Sequence, residues 1–94
     1  MDKELFNYIK SFGFEDEDVE DFCSREPALE IIDCSRAKAC VEAVVEAGYP
    51  RIDIDGLIFT NPGFLTNDPR DLKIKLITLG ANIEEKLKED PFLI

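Results

Sequence analysis

Carboxylates dominate the side chains of this sequence that could do chemistry. Glu15, Asp16, Glu17, Asp18, Glu20 and Asp21 crowd into positions 15 to 21. Such a run could hold a cation or a basic partner, while acids at a helix N-terminus also complement the helix dipole and stay solvated. Asp53, Asp55 and Gly56 copy the middle of a calcium loop, but with Gly56 at its sixth position the first would be Arg51 and the twelfth Pro62. Two essential oxygen ligands are then missing, so Asp53 reads instead as the cap of a following helix. Cys23, Cys34 and Cys40 come without a histidine or a paired CxxC spacing, and an acid would have to join them to complete a zinc site. Cys23 and Cys40 read as small buried apolar residues, and Cys34, in a turn, is the candidate for a reactive thiol. With no histidine, no glycine-rich phosphate loop and no nucleophile beside a base, the chain reads as non-catalytic, with neither metal nor cofactor.

Charge narrows the partners. The 94 residues carry a net charge of −10. Residues 1–33 hold eleven acids against three bases, 34–68 five against three, and 69–94 five against five. A polyanionic nucleic acid would be repelled on approach, because its affinity for proteins comes largely from Lys and Arg displacing counterions. A basic protein partner fits the balance better. If nucleic acid does bind, the candidates are Arg70, Lys73, Lys75, Lys86 and Lys88, among which Asp71, Glu84, Glu85, Glu89 and Asp90 are interspersed. The odd cysteine count, and a first segment charged at Asp2, Lys3, Glu4 and Lys10, point to a reducing, cytoplasmic setting. No apolar run is long enough to cross a membrane.

The elements that position these residues follow a repeat. A glycine closing an apolar helical stretch, a second apolar stretch, and a proline followed by an apolar cluster occur three times. The copies are SFGF…REPALEI, EAGYP…TNPGFL and TLGAN…EDPFLI. Gly13 and Gly48 are 35 residues apart and Gly48 and Gly80 are 32 apart, periods typical of a helical hairpin repeat. Leu5, Phe6, Ile9 and Phe12 place one apolar stripe on a helix from Lys3 to Phe12 capped by Asp2. Cys40, Val41, Val44 and Ala47 repeat the stripe behind a cap at Asp33 or Ser35. In the third copy Asp68 caps, Pro69 takes the first helical position, and Leu72, Leu76 and Leu79 lead to Gly80.

The second half of each copy is less plain. Residues 51–59, RIDIDGLIF, alternate like a strand. Sliding the first copy forward by 35 residues sets Val19 on Ile54, Phe22 on Leu57, Cys23 on Ile58 and Pro27 on Pro62. That i, i+3, i+4 pattern predicts a helix in both copies, and Ile83 and Leu87 ahead of Pro91 supply the third. Each proline then ends its helix, and a short 3-10 turn follows in which Leu29, Phe64 or Leu93 tucks toward the core.

FGFEDEDVEDFCSREPALEI and AGYPRIDIDGLIFTNPGFL, with Gly13, Val19, Pro27 and Leu29 matched by Gly48, Ile54, Pro62 and Phe64, resemble the mitochondrial transcription termination factor (mTERF) repeat family. Asn61 and Leu65 also fit its pattern. The resemblance implies an all-α, short α-solenoid of about two and a half to three repeats, approximately 1–33, 34–68 and 69–94, in one domain. Each repeat would be two α-helices and a 3-10 helix, stacked at right angles or in triangles. In long family members a concave basic face binds double-stranded nucleic acid, and this chain departs from them in its few repeats and its acidity. The expected contact surface is therefore the acidic first repeat, at Glu15, Asp16, Glu17, Asp18 and Asp21. Phe92 and Leu93 join it as apolar residues at the far end, through which self-association is also expected.

Overall fold

A computed structural model describes all residues, Met1–Ile94, and every regular element in it is helical. Helix α1 (Lys3–Lys10) and α2 (Asp16–Arg25) lead into a 3-10 helix at Pro27–Glu30. Helix α3 (Cys34–Glu46) is followed by a 3-10 turn at Arg51–Asp53, α4 (Ile54–Thr60) and a 3-10 helix at Pro62–Thr66. Helix α5 (Pro69–Leu79) and α6 (Ile83–Glu89) end in a 3-10 helix at Pro91–Leu93. The order α, α, 3-10 thus recurs three times, with one extra 3-10 turn ahead of α4 in the second copy. No helix is long and apolar enough to cross a membrane.

Local chemistry sets the ends. Asp2, Asp33 and Asp68 each accept a hydrogen bond from a backbone N–H in the first turn of α1, α3 and α5, which satisfies donors with no partner inside the helix. Helix α1 stops two residues short of the predicted Phe12, and a turn over 11–13 carries the chain to Gly13. Gly13, Gly48 and Gly80 all have positive φ, which explains why the repeat writes glycine there. The third copy makes its reversal in only three residues, and there Asn82 also adopts the left-handed conformation, at φ 62°. A short polar side chain tolerates that region better than most.

Residues 51–59 settle as helix for a packing reason. A strand would bury Ile52 and Ile54 on the same face. Ile54 is fully buried whereas Ile52 is 86% exposed, and Leu57 and Ile58 complete a helical stripe with Ile54. Asp53 stands at the N-cap of α4 without a side-chain capping bond, contrary to the cap expected of it. Its carboxylate is taken by Lys88.

Twenty-one buried apolar residues form one core that runs through all three copies. Helix α3 packs on α1 and on α5, and the 3-10 helices at 27–30 and 62–66 meet each other. Polar side chains tie each copy to the next. Arg25 donates to the carbonyls of Phe59 (2.8 Å) and Thr60 (3.4 Å), at the end of α4. Within the second copy, Arg36 donates to the carbonyls of Thr66 (2.7 Å) and Asn67 (3.0 Å). Asn61, the one buried polar residue, donates to the carbonyl of Pro91 at 2.9 Å. Its amide therefore answers a backbone acceptor of the third copy, which accounts physically for asparagine before Pro62.

Candidate functional site

The acidic run lies across the first two turns of α2, where three of its members serve the fold. Asp18 accepts from the backbone N–H of Glu15 at 2.8 Å, so N-cap and third helical position close on each other. Asp16 pairs with Lys10 and Asp21 with Arg25. Glu17 and Glu20 keep carboxylates outside every hydrogen bond and ion pair. The six acids are thus not one equivalent cluster, and no group of three metal-ligating side chains is gathered anywhere in the molecule.

The expected basic set separates in the same way. Lys88 donates to Asp53 and to Glu84, each at 2.8 Å. Lys75 donates to the Asn67 Oδ1 at 3.0 Å and Lys86 to the Leu79 carbonyl. Arg70 and Lys73, one turn apart on α5, are left without an acceptor. Of the five, only Lys88 is neutralised by carboxylates, since Lys75 and Lys86 bond neutral oxygens and keep their charge.

At the far end Phe92 is 67% and Leu93 40% exposed. Leu93 does not tuck in as Leu29 and Phe64 do; Ile94 packs against the core in its place. The backbone there is nonetheless fixed, through Asn61 to Pro91 and through Asn67 Nδ2 to the Ile94 carbonyl at 3.1 Å.

The cysteines correct one expectation and refine another. Cys34 is not a turn thiol but the first residue of α3, buried, with its backbone N–H donating to Asp2 and its thiol pushed up by that burial. Cys40 is fully buried with Sγ 3.2 Å from the Asn67 carbonyl, and burial pushes its thiol up to about 11. Cys23 is only half-buried, and burial together with Glu30 raises it to about 11. No thiol is primed as a thiolate at neutral pH.

Between α4 and α6 lies a groove of about 360 Å³ that the sequence does not announce. Its polar edge holds Asp53, Asp55 and Lys88, and Leu57 and Leu87 lie among its apolar walls. Tyr49 lines it with a ring 96% buried, being 4% exposed, and with a hydroxyl that has no protein partner. Because no buried side-chain oxygen is left unsatisfied, that hydroxyl reaches solvent. Burial raises the Tyr49 pKa, while Lys88 lowers it and Asp53, Glu84 and Asp55 raise it, so these charges surround the phenol.

No protein-family model, curated protein or solved structure matches this chain.

The exposed Ile74 and Ile77 were likewise outside the sequence expectations, at 62% and 79% exposure on α5. They stand off the Leu72, Leu76 and Leu79 stripe, and that offset is the signal by which they could have been found. Ile77 borders a second groove of about 360 Å³ between α3 and α5, where Ala43, Ala47 and Leu76 face Glu46 and Lys73.

Proposed function

We propose that this chain is a non-catalytic protein-interaction module, a short α-solenoid of mTERF-like repeats that binds a basic partner. The observation that carries the reading is the surplus of unpaired carboxylate. Only Asp16, Asp21, Glu30, Glu42, Asp53 and Glu84 of the 21 acids hold an ion pair. The remainder leaves a negative field that attracts cationic surfaces and disfavours polyanions. The solenoid reading is supported by the threefold order of elements and by Arg25 and Asn61 bonding from one copy to the next. A reducing, cytoplasmic setting belongs to the same proposal, drawn from three cysteines that remain free.

The rival is a nucleic-acid-binding mTERF-like protein, and the four bases of α5 and α6 outside any ion pair, Arg70, Lys73, Lys75 and Lys86, are what supports it. An electrophoretic mobility shift with duplex DNA and duplex RNA at low salt separates the two. The proposal expects no shifted band at micromolar protein. A band that disappears steeply as salt rises would overturn it.

A further inference from the structure

Glu17 and Glu20 of α2, outside every hydrogen bond and ion pair, are exposed and line neither groove. The groove between α4 and α6 differs in kind. It joins carboxylates to apolar walls and to a tyrosine hydroxyl that is held in place by burial yet left without a partner. A fixed polar group without a protein partner beside apolar surface is how small ligand sites orient what they bind.

The charge decides which ligand. Asp53 and Glu84 share the ammonium of Lys88, whereas Asp55 is exposed, lines the groove and holds no ion pair. Three carboxylates against one ammonium leave the rim negative. The volume, about 360 Å³, is at the low end of the roughly 300–1,000 Å³ of ligand pockets, and so suits one side chain better than a cofactor. A guanidinium matches these features more closely than an ammonium. It is planar and weakly hydrated, pairs with carboxylates through two donors at once, and leaves its aliphatic stem to lie along Leu57, Leu87 and Pro91.

We infer that the groove between α4 and α6 is an arginine-binding site, in which Asp55 pairs with the guanidinium of a partner peptide, the Tyr49 hydroxyl accepts one of its N–H groups, and Leu57 and Leu87 cover its stem. The inference rests on the reading of the chain as a module for a basic partner, and it moves the contact from the acidic run to the groove.

Chemical-shift titration of the isotope-labelled full chain tests it, with three probes: agmatine, a short arginine-rich peptide, and the same peptide with citrulline for arginine. Agmatine and the arginine peptide should move the amides of Gly56, Leu57 and Leu87 while the citrulline peptide leaves them in place. Asp55→Asn should weaken both cations about tenfold and Tyr49→Phe roughly threefold, the sizes expected for a charged and a neutral hydrogen bond. Glu17→Gln with Glu20→Gln should change agmatine binding by less than about twofold, because these solvated carboxylates lie outside the groove and exposed charges bind an isolated cation weakly. Circular dichroism of each variant checks that it folds, and both groove changes keep their side-chain size.

The outcomes separate the two proposals. A peptide that binds but is released by Glu17→Gln with Glu20→Gln, and not by Asp55→Asn, overturns the groove and spares the module. Agmatine in the groove without any peptide binding supports the site for a free cation and overturns the module. Neither cation moving the groove amides overturns the site outright.

Discussion

Lys88 on α6 donates to Asp53 at 2.8 Å across 35 residues of chain, and so joins the second helix of the third copy to the start of the second helix of the second. The same ammonium bonds Glu84 and lies 5.9 Å from the centre of the Tyr49 ring. Its two carboxylates hold its pKa above the ordinary lysine value. One side chain thereby closes an edge of the groove and neutralises part of its charge. Lys88→Met keeps the stem and removes the charge. Because the pair is close to half exposed on both sides, stability in urea denaturation should fall only slightly. Affinity for the arginine peptide should rise about threefold or more, since Asp53 and Glu84 are set free. A fall in affinity would mean that Lys88 itself serves the ligand.

Arg25 is the strongest polar tie between the first and second copies. Its guanidinium donates to two carbonyls at the end of α4, pairs with Asp21, and lies over the Phe22 ring at 5.4 Å. Arg25→Ala should cost about 1–2 kcal/mol, the range for charged hydrogen bonds at a partly exposed site. Arg70→Ala, which breaks no bond, should stay within about 0.5 kcal/mol of the parent. Equal effects in urea denaturation would remove Arg25 from the account of how the copies are joined.

Two glycines should answer alanine with opposite signs. Gly48 has φ 118°, a conformation that a Cβ strains, so Gly48→Ala should destabilise by about 1 kcal/mol or more. Gly56 sits inside α4, and a Cβ there meets nothing within 4 Å. Gly56→Ala should stabilise by about 0.5–1 kcal/mol, since it reduces the freedom of the unfolded chain. Thermal denaturation of the two variants reads both signs at once.

Tyrosine ionisation supplies the pH dependence. Burial lifts Tyr8 to about 12 and raises Tyr49 as well. The folded state therefore prefers the neutral phenols. Their contribution to stability is complete below the unfolded value of about 10 and is lost as pH rises toward the folded values. Phenolate absorbance should therefore appear at higher pH in the native chain than in urea. Coincident curves would contradict the packing assigned to both rings.

Much of this architecture was legible because backbone rules act locally. Gly13, Gly48 and Gly80 sit where φ is positive, Asp2 and Asp68 cap the helices predicted for them, and Pro27, Pro62 and Pro91 each open a 3-10 helix. Residues 51–59 were legible only by comparison with the first copy, because Ile52 and Ile54 imitate a strand until packing sends Ile52 outward. The groove was hidden for a different reason. Tyr49 and Asp53 meet Lys88 only when α6 docks on α4, a contact between residues 35 or more apart. Asp53 illustrates the limit well, since local spacing assigns it to the cap of α4 and tertiary docking gives it to Lys88.

The central claim, that this chain takes a basic protein partner, is tested most directly by fluorescence anisotropy of a labelled arginine-rich peptide titrated with the full chain at about 50 mM and about 300 mM salt. Binding should be saturable and micromolar at the lower salt and should weaken at the higher one. A peptide that stays free at the lower salt would contradict the claim.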